Sequence, residues 1–168
     1  FFDICDIRLA GTLIPLFSLR TNNSFGIGDF GDLKRMIDFM SCTNQRVLQL
    51  LPINDTTASH TWKDSYPYSC VSVFALHPQY INLKALPSLK DEKLYRHFQK
   101  LQKELNGLES LDYEKVNNAK NEYLSLLYQQ EGTKILASKE FSTFFEYNQE
   151  WLVPYARFCS LRDQYKTP

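Results

Sequence analysis

Thr12-Leu-Ile-Pro-Leu-Phe17 and Val47-Leu-Gln-Leu-Leu51 are two short, largely apolar stretches on either side of one helical pattern, and together they decide the fold. Each is typical of a buried parallel strand, although Pro15 cannot donate a hydrogen bond to a sheet. Between them, Asp29 is a suitable N-cap for a helix that runs to about residue 42. The apolar residues of this helix recur at helical spacing: Phe30, Leu33, Met36, Ile37 and Met40. A strand, a helix and a strand with short links predict a parallel, right-handed βαβ unit.

Residues 53–83 follow the second strand and show little periodicity, so the sequence predicts a long loop there. Long ordered loops are often functional, and parallel α/β folds place ligands beyond the carboxyl ends of their strands. The loop holds the densest polar and aromatic cluster of the chain: His60, Trp62, Asp64, Ser65, Tyr66 and Tyr68. Aromatic rings with polar edges suit the apolar face of a sugar. The residues alone equally allow a Tyr-Pro turn with buried rings, and both interpretations stay open.

The second half of the chain is more charged and has helical periodicity. Its first helix carries four apolar residues at helical spacing: Leu94, Phe98, Leu101 and Leu105. This helix is predicted to end near Asn106-Gly107, and its charged residues between 90 and 103 are predicted to form a solvated face. Asp112 is a suitable N-cap for the next helix, which is predicted to break near Gly132.

Two more helices are predicted after Gly132. The first follows Ser138, a suitable N-cap with Glu140 close to it. The second runs from Trp151 to Tyr165, where Pro154 is tolerable because it lies in the first turn. The aromatic residues of both helices are predicted to form helix core: Phe141, Phe144, Phe145, Trp151 and Tyr155.

Composition excludes several classes of protein. Lys plus Arg and Asp plus Glu each number 19, so the chain lacks the basic footprint of a nucleic-acid-binding protein. No apolar run reaches about 18 residues, so no membrane partner is expected. Four cysteines without a C-x-x-C pair argue against a metal cluster, and we expect Cys5, Cys42, Cys70 and Cys159 to be free, buried thiols in a reducing cytoplasm. The chain starts at Phe1 and ends straight after a helical pattern, and we expect it to be a fragment.

Gly26-x-Gly28-x-x-Gly31 matches the dinucleotide-binding fingerprint, but its setting argues against a nucleotide. The fingerprint glycines follow their strand in a tight turn, whereas roughly eight residues separate the first strand from Gly26 here. Asp29 and Asp32 would place negative charge where the phosphates should lie. The glycines are therefore predicted to supply a positive φ angle and close packing.

The histidines of the chain and the carboxylates of Asp55 and Asp64 are candidate site residues by type, but not by spacing. His60, His77 and His97 lack metal-ligand spacing and are predicted to be ordinary surface or loop histidines. Asp55 and Asp64 share a loop in which nothing fixes their separation, whereas a glycosidase needs two carboxylates that flank the scissile bond. Each is therefore predicted to hold loop structure or a sugar hydroxyl.

Five blocks stand in order between residues 11 and 83: Gly11-Thr-Leu-Ile-Pro-Leu-Phe-Ser-Leu-Arg20, Phe25-Gly-Ile-Gly-Asp-Phe-Gly-Asp-Leu33, Gln49-Leu-Leu-Pro-Ile53, Asp64-Ser-Tyr-Pro-Tyr-Ser69 and Ser72-x-Phe-Ala-Leu-His-Pro78. They resemble the opening of the catalytic domain of the amylomaltases, or 4-α-glucanotransferases, which form glycoside hydrolase family seventy-seven. Leu111-Asp-Tyr-x-x-Val116 and Trp151-Leu-x-x-Tyr-Ala-x-Phe158 resemble the family's helical insertion. Five ordered blocks are much more specific than any one of them.

The resemblance implies an α/β fold, namely the N-terminal portion of a TIM (β/α)8 barrel followed by a mostly helical insertion subdomain. Residues 1–83 would form the first βαβ unit and the substrate-binding loop, and residues 84–168 the insertion. The family cleaves α-1,4-glucans and transfers the glucosyl segment to an acceptor sugar by a retaining mechanism, without a metal or organic cofactor. Its catalytic carboxylates lie on later strands. No catalytic residue is therefore expected in this chain, which should be inactive by itself.

The resemblance carries four substrate-binding residues onto this chain. Tyr68 matches the tyrosine that stacks beside the sugar at the cleavage point, and Asp64 and Ser65 match polar residues of the donor-side cleft. Trp62 falls where relatives often carry an aromatic residue for an accessory contact with an α-1,4-glucan or malto-oligosaccharide. The commoner motif reads Asp-Ser-Pro-Tyr, whereas Tyr66 is inserted here. This form resembles the branch that carries starch-binding modules ahead of the barrel and handles branched or heteroglycan acceptors, and it shifts Asp64 and Ser65 relative to Tyr68.

Alternative functions are kept beside the transferase. A non-catalytic carbohydrate-binding module would use Trp62, Tyr66 and Tyr68 as its platform, and a helical protein-interaction domain would use residues 85–168. A nucleotide-dependent enzyme is the most distant alternative. Because two strands cannot close an eight-stranded barrel, the chain without the rest of the barrel is predicted to expose a sheet edge and apolar helix faces. It would then self-associate or pack loosely around its strands.

Overall fold

The computed structural model describes residues 8–166, which form a small α/β structure with two strands and four α-helices. The strands are β1 (Gly11–Leu13) and β2 (Val47–Gln49), and the helices are α1 (Phe30–Cys42), α2 (Glu92–Asn106), α3 (Tyr113–Leu136) and α4 (Lys139–Tyr165). β1 and β2 pair in parallel, with Gly11 opposite Val47 and Leu13 opposite Gln49. The predicted parallel βαβ unit is therefore confirmed.

Both strands are shorter and more exposed than the sequence predicts. β1 ends before Pro15, which has no N–H to donate, and the next residues turn into the 3-10 helix Leu16–Ser18. Leu13 and Val47 keep 58% and 43% of their surface exposed, so the prediction of buried strands is wrong within residues 8–166. The two strands pair only with each other, and this leaves part of the sheet uncovered.

α1 begins where a reciprocal capping box closes its first turn. The Asp29 carboxylate accepts hydrogen bonds from the N–H groups of Gly31 and Asp32, at 2.7 and 3.2 Å. In return, the Asp32 carboxylate accepts from the Asp29 N–H at 3.1 Å. Asp32 also accepts from the hydroxyls of Thr21 and Ser24, both at 2.7 Å. The predicted N-cap is confirmed, and the same two acids fasten the preceding loop to the helix.

Gly26 allows the loop before α1 to pass between two helices. Its φ angle is +76°, a value that favours glycine over residues with a side chain. A Cβ atom here would lie 2.9 Å from Leu105 Cβ and 2.9 Å from Val116 Cγ2. The predicted positive φ angle is confirmed for Gly26 but not for Gly28 and Gly31, whereas the predicted close packing is confirmed for all three. None of this requires a nucleotide.

One hydrophobic core joins the two halves of the chain. Its buried members are Leu16, Phe25, Ile27, Tyr80, Leu83, Leu89, Phe98, Leu105, Val116, Ala119, Tyr123 and Leu127. The rings of Phe98 in α2 and Tyr123 in α3 meet edge to face, with centroids 5.2 Å apart. Since residues on both sides of position 83 contribute, burial of this core couples the βαβ unit to the helices.

Two predicted helix boundaries are wrong. α3 continues through Gly132, because glycine keeps its N–H and costs a helix only about 1 kcal/mol. Gly132 also leaves room for the ring of Tyr128, which a Cβ would approach to 2.9 Å. α4 is a single helix from Lys139 to Tyr165, with Pro154 in its interior and not in a first turn. Its other intrahelical bonds outweigh the one that proline removes.

Several side chains are more exposed than predicted. Phe144 and Phe145 of α4 keep 47% and 37% of their surface exposed, so they are not helix core. The reason is that α4 buries only one side, against α3 and the loop after β2. The predicted solvated, charged face of α2 is confirmed.

The cysteines are also more exposed than predicted. Cys42, Cys70 and Cys159 are free thiols, as predicted, but Cys42 and Cys70 are exposed and Cys159 is half-buried. The prediction that they are buried is therefore wrong. Cys5 lies outside the described residues. No helix within residues 8–166 is long and apolar enough to cross a membrane.

Candidate functional site

The loop after β2 is closed at its base by backbone pairing. Asn54 and Leu76 form an antiparallel bridge, and the Asp55 N–H donates to the Ala75 carbonyl at 2.9 Å. Residues 56–70 therefore form a closed excursion whose two ends are fixed close together. This excursion carries all four of the predicted substrate-binding residues.

Asp64 lies under this excursion and holds its backbone. It is buried, and its carboxylate accepts from the Ser59 N–H at 2.8 Å, the His60 N–H at 2.6 Å and the Ser59 hydroxyl at 3.0 Å. Its carbonyl accepts from the Thr56 hydroxyl. The prediction that Asp64 holds loop structure is confirmed by these contacts, since three of its acceptor positions are filled by the loop itself.

Trp62 and Ser65 lie on the outer side of the same turn. Half of the Trp62 surface is exposed, and its ring packs against that of Tyr113 with centroids 5.9 Å apart. The Trp62 N–H donates to the Glu114 carboxylate at 2.9 Å, which ties the turn to the start of α3. The exposed Ser65 hydroxyl donates to the Trp62 carbonyl at 2.7 Å. The indole ring is therefore positioned by α3 while one face stays open to solvent.

Tyr66 and Tyr68 form an exposed aromatic pair. Their ring centroids lie 5.4 Å apart, tilted by 51°, and each residue keeps 59% of its surface exposed. Val73 and Phe74, further along the loop, are also exposed. Of the two interpretations that the sequence left open, a turn with buried rings is excluded. Rings this exposed can stack on the apolar face of a sugar.

Asp55, like Asp64, is buried, and both of its carboxylate oxygens accept hydrogen bonds from neighbouring residues. One carboxylate oxygen accepts from the Thr57 N–H at 3.0 Å and the Thr57 hydroxyl at 2.6 Å, and the other accepts from the Tyr155 hydroxyl at 2.6 Å. Burial, and then the hydrogen bond to Asp55, raise the pKa of Tyr155. Both loop carboxylates therefore serve the structure, and neither is free to form a pair for glycoside chemistry.

The C-terminal part of α4 holds the same excursion from the side. The buried Arg162 guanidinium donates to the Thr57 carbonyl at 2.6 Å and to the Asp163 carboxylate at 2.8 Å. Asp163 also contacts the His60 ring at 2.9 Å. Together with the contact between Tyr155 and Asp55, these bonds fix the loop against a helix about one hundred residues further along the chain. No residue near Arg162 in the sequence indicates that it is buried.

His77 lies in a loop, as one of the two predicted alternatives has it, but it is not at the surface. It is buried, and burial lowers its pKa to about 4 despite the nearby carboxylates of Asp55 and Asp64. Its Nδ1 accepts from the Gln79 N–H at 3.2 Å, so the neutral ring carries its proton on Nε2 and donates to the Tyr113 hydroxyl at 3.0 Å. His60 and His97 are exposed as predicted. No group of three or more His, Cys, Asp or Glu within residues 8–166 is placed to hold a metal ion.

Because His77 is neutral in the folded chain, the free energy of unfolding depends on pH. Its pKa is about 4 when folded and 6.5 when exposed, so the unfolded state binds more protons between these values. Stability is therefore lost as the pH falls through this window, by about 2 kcal/mol between pH 7 and pH 5. Urea unfolding at both pH values should show this loss in the native chain and in His97→Gln, but a smaller loss in His77→Gln. An equal loss in all three would contradict this origin.

Lys120 is a buried cation whose role the sequence analysis did not identify. It lies on the core face of α3 between Val116 and Tyr123, and its ammonium group donates to the carbonyls of Gln79 and Ile81. Burial lowers its pKa to about 8, partly offset by the carboxylates at the start of α1. Its helical register with Val116 and Tyr123 was the available signal. Lys120 attaches the far end of the loop to α3.

Comparisons with known proteins place these features in a family. The sequence profile described as 4-alpha-glucanotransferase matches residues 14–168. The chain is 41% identical over 160 residues to 4-alpha-glucanotransferase DPE2 of Oryza sativa subsp. japonica, which covers 95% of this chain and 17% of the rice protein. It is 36% identical over 154 residues to 4-alpha-glucanotransferase of Chlamydia muridarum, which covers 91% of this chain and 28% of that protein. It is 30% identical over 168 residues to 4-alpha-glucanotransferase of Synechocystis sp., which covers 94% of this chain and 30% of that protein.

The five ordered blocks of the sequence fall within or beside the matched region, and the chain spans less than a third of the length of these relatives. The match includes the loop with its exposed tyrosines and all four helices. The resemblance seen in the sequence is therefore confirmed. The chain belongs to the 4-alpha-glucanotransferase family.

Proposed function

We propose that this chain is part of a 4-alpha-glucanotransferase that cleaves α-1,4-glucans and transfers the glucosyl segment to an acceptor sugar with retention of configuration. The observation that carries this proposal is the family match over residues 14–168. The share of each relative that is matched, 17% of the rice protein and 28% of the chlamydial protein, supports the further proposal that the chain is one segment of the enzyme. We place the enzyme in the cytoplasm, where glucan substrates and reduced thiols occur together.

Residues 1–83 are proposed to form the first βαβ unit of a TIM barrel and its substrate loop, and residues 84–168 a helical insertion. The parallel pairing of β1 and β2 supports this, because a TIM barrel consists of parallel strands joined through helices. The exposed apolar side chains of Leu13, Ile37 and Val47 support it as well. In a complete barrel, later strands and helices would cover such surfaces.

Residues 62–68 are proposed to bind the glucan. Tyr68 and Trp62 would stack on glucosyl rings, because both expose aromatic faces on the outer side of the excursion. Ser65 would offer its hydroxyl to a sugar. Asp64 would act from beneath, since its carboxylate already fixes the turn that presents the two rings. The carboxylates that break and form glycosidic bonds would come from the rest of the enzyme, because Asp55 and Asp64 are both engaged.

A chimera can test the proposed activity. This chain would replace the matching segment of the Chlamydia muridarum 4-alpha-glucanotransferase, whose 154 aligned residues define the junctions. The chimera should disproportionate maltotriose into glucose and longer oligomers, whereas the isolated chain should not. Tyr68→Ala in the chimera should lower kcat/KM by about tenfold or more, the loss expected when a stacking contact in a closed site is removed.

The matched control is Tyr147→Ala, which removes a tyrosine that is 84% exposed on α4 and should leave kcat/KM unchanged. Equal activity of Tyr68→Ala and the unmodified chimera would place Tyr68 outside the cleft. Activity of the isolated chain would mean that Asp55 and Asp64 perform the chemistry. A chimera that melts cooperatively but releases no glucose would count against the proposed function itself.

A further inference from the structure

A second concave site is lined by residues to which no function has been assigned. It is a pocket of about 280 Å³ where the loop before α1 and the 3-10 turn Leu83–Ala85 meet α2 and α3. None of residues 62–68 lines this pocket, so it is separate from the proposed glucan surface. Ligand sites usually have volumes of roughly 300–1,000 Å³, and a pocket just below this range has room for a ligand no larger than about one sugar ring.

The floor of the pocket consists of rings that the core already holds rigid. Phe25, Phe98 and Tyr123 line it, and each is buried with less than a tenth of its surface exposed. The half-buried ring of Tyr95 lines it too. Phe98 and Tyr123 pack edge to face, with ring centroids 5.2 Å apart. Since the three buried rings expose little surface, the ring of Tyr95 is the aromatic surface that a pyranose could contact, and the buried rings support it from beneath.

The rim of the pocket is a small hydrogen-bonded network from three separate segments. The Lys84 ammonium donates to the Asn23 side-chain oxygen at 2.7 Å. The Gln102 amide donates to the backbone carbonyls of Asn23 and Ser24, at 3.1 and 3.0 Å. These bonds join Lys84 and Gln102 to Asn23 in the chain without a ligand. Such preorganisation reduces the entropy that binding would otherwise cost.

The network leaves both donors and acceptors available. Within residues 8–166, the Asn23 side-chain nitrogen and the Gln102 side-chain oxygen have no hydrogen-bond partner, and Lys84 uses one of its three N–H groups. Adjacent hydroxyls of a pyranose both donate and accept, so they match this mixture. A purely anionic ligand could use only the donors.

A carboxylate among the lining residues weakens the attraction of this pocket for a phosphate. Lys84 and Lys103 contribute two positive charges to the rim, but the Asp29 carboxylate lines the same pocket. An anion on the floor would lie close to this carboxylate, which is buried and poorly screened. A neutral polyol avoids this repulsion and keeps the hydrogen bonds.

We propose that this pocket binds one glucopyranose unit, either free glucose or the terminal unit of a malto-oligosaccharide. The choice of glucose among neutral sugars rests on the proposed function, whereas the preference for a neutral, ring-sized polyol rests on the pocket alone. Occupation by a chain end would tether a glucan to the enzyme and raise its effective concentration at the 62–68 surface. Occupation by free glucose would instead place a reaction product at a second site.

The test is an amide-resolved NMR titration of this chain with glucose and, separately, with maltotriose, up to about 50 mM because millimolar affinity is expected of a site this small. We expect saturable shifts at the amides of residues 23, 84 and 102. Asn23→Ala should weaken this binding at least tenfold, while the matched substitution Asn118→Ala on the exposed face of α3 should not. Lys84→Met is a second variant that keeps the length of the side chain. Thermal melts would show that each variant folds.

The outcomes separate this site from the proposed function. Shifts at residues 62–68 alone would support the glucan surface and overturn the second site. Shifts at the pocket that Asn23→Ala and Lys84→Met both leave unchanged would also overturn it. Tighter binding of inorganic phosphate than of either sugar would overturn the polyol class. Saturation by maltotriose but not glucose identifies a chain-end site, and saturation by glucose but not maltotriose identifies a product site. The response of Tyr68→Ala in the chimera bears only on the proposed function.

Discussion

Replacing Gly28 with alanine is expected to lower the free energy of unfolding by about 3 kcal/mol or more, at the top of the usual range for overpacking. An ideal Cβ at this position would lie 2.1 Å from the Leu16 carbonyl oxygen and 2.9 Å from backbone atoms of Leu19. These are backbone atoms, and they cannot rotate away as the end of a long side chain can. The loop or the turn would therefore have to move as a unit.

Neither segment is free to move. The Gly28 N–H donates to the Phe17 carbonyl at 3.1 Å, which binds the loop to the 3-10 turn at the point of closest approach. Leu16 and Ile27, on the two sides of this contact, are 1% and 0% exposed and belong to the central core. Separating the segments would break the hydrogen bond and open the core beneath it, so both costs add to the steric one.

Urea unfolding followed by circular dichroism would measure the effect, with Gly107→Ala as the matched control. Gly107 follows α2 with a φ angle of −83°, which alanine adopts without strain. The atom nearest to an added Cβ would be the Lys103 carbonyl oxygen, at 3.2 Å. This control should change stability by less than about 1 kcal/mol, and it can stabilise the chain by restricting its unfolded state. Equal midpoints for Gly28→Ala and the native chain would show that the two segments separate easily.

The features that the sequence predicts correctly are those that neighbouring residues determine. Asp29 and Asp32 cap α1 through contacts three residues apart, and the register of α2 follows from its own apolar spacing. The boundaries in the last third were wrong for a related reason. Gly132 and Pro154 weaken a helix locally, and only packing along its whole length decides whether it continues.

The sequence predicts the loop that carries the candidate site, but not the contacts that support this loop. The order of the motif places Trp62 and Tyr68 in one loop, and the structure exposes both rings. The buried state of His77 and of Lys120 depends on partners about forty residues away in the chain, and no local pattern identifies such partners. The register of Lys120 with Val116 and Tyr123 indicates burial but not the partners, and His77 in its loop lacks even this signal.

Replacing Asp64 with alanine is expected to cost about 3 kcal/mol of stability, because hydrogen bonds to a charged acceptor are worth roughly 1.5–3 kcal/mol each and two backbone donors would lose their partner. Those donors are the N–H groups of Ser59 and His60, at 2.8 and 2.6 Å from the carboxylate. Water can reach them only in part, so the turn would have to open to satisfy them. The excursion that presents Trp62 would then lose its shape.

Ser65→Ala tests the same turn from its solvent side and should change stability by no more than about 0.5 kcal/mol, since its hydroxyl is exposed and donates to one carbonyl only. Asp64→Asn separates charge from shape, because an asparagine oxygen can still accept from a backbone N–H while the charge is lost. We expect Asp64→Asn to lower the free energy of unfolding by more than Ser65→Ala and by less than Asp64→Ala. If urea unfolding gave Asp64→Ala the stability of Ser65→Ala, the carboxylate would not be holding the loop. A direct role in contacting the glucan would then be the better explanation for an acid at this position.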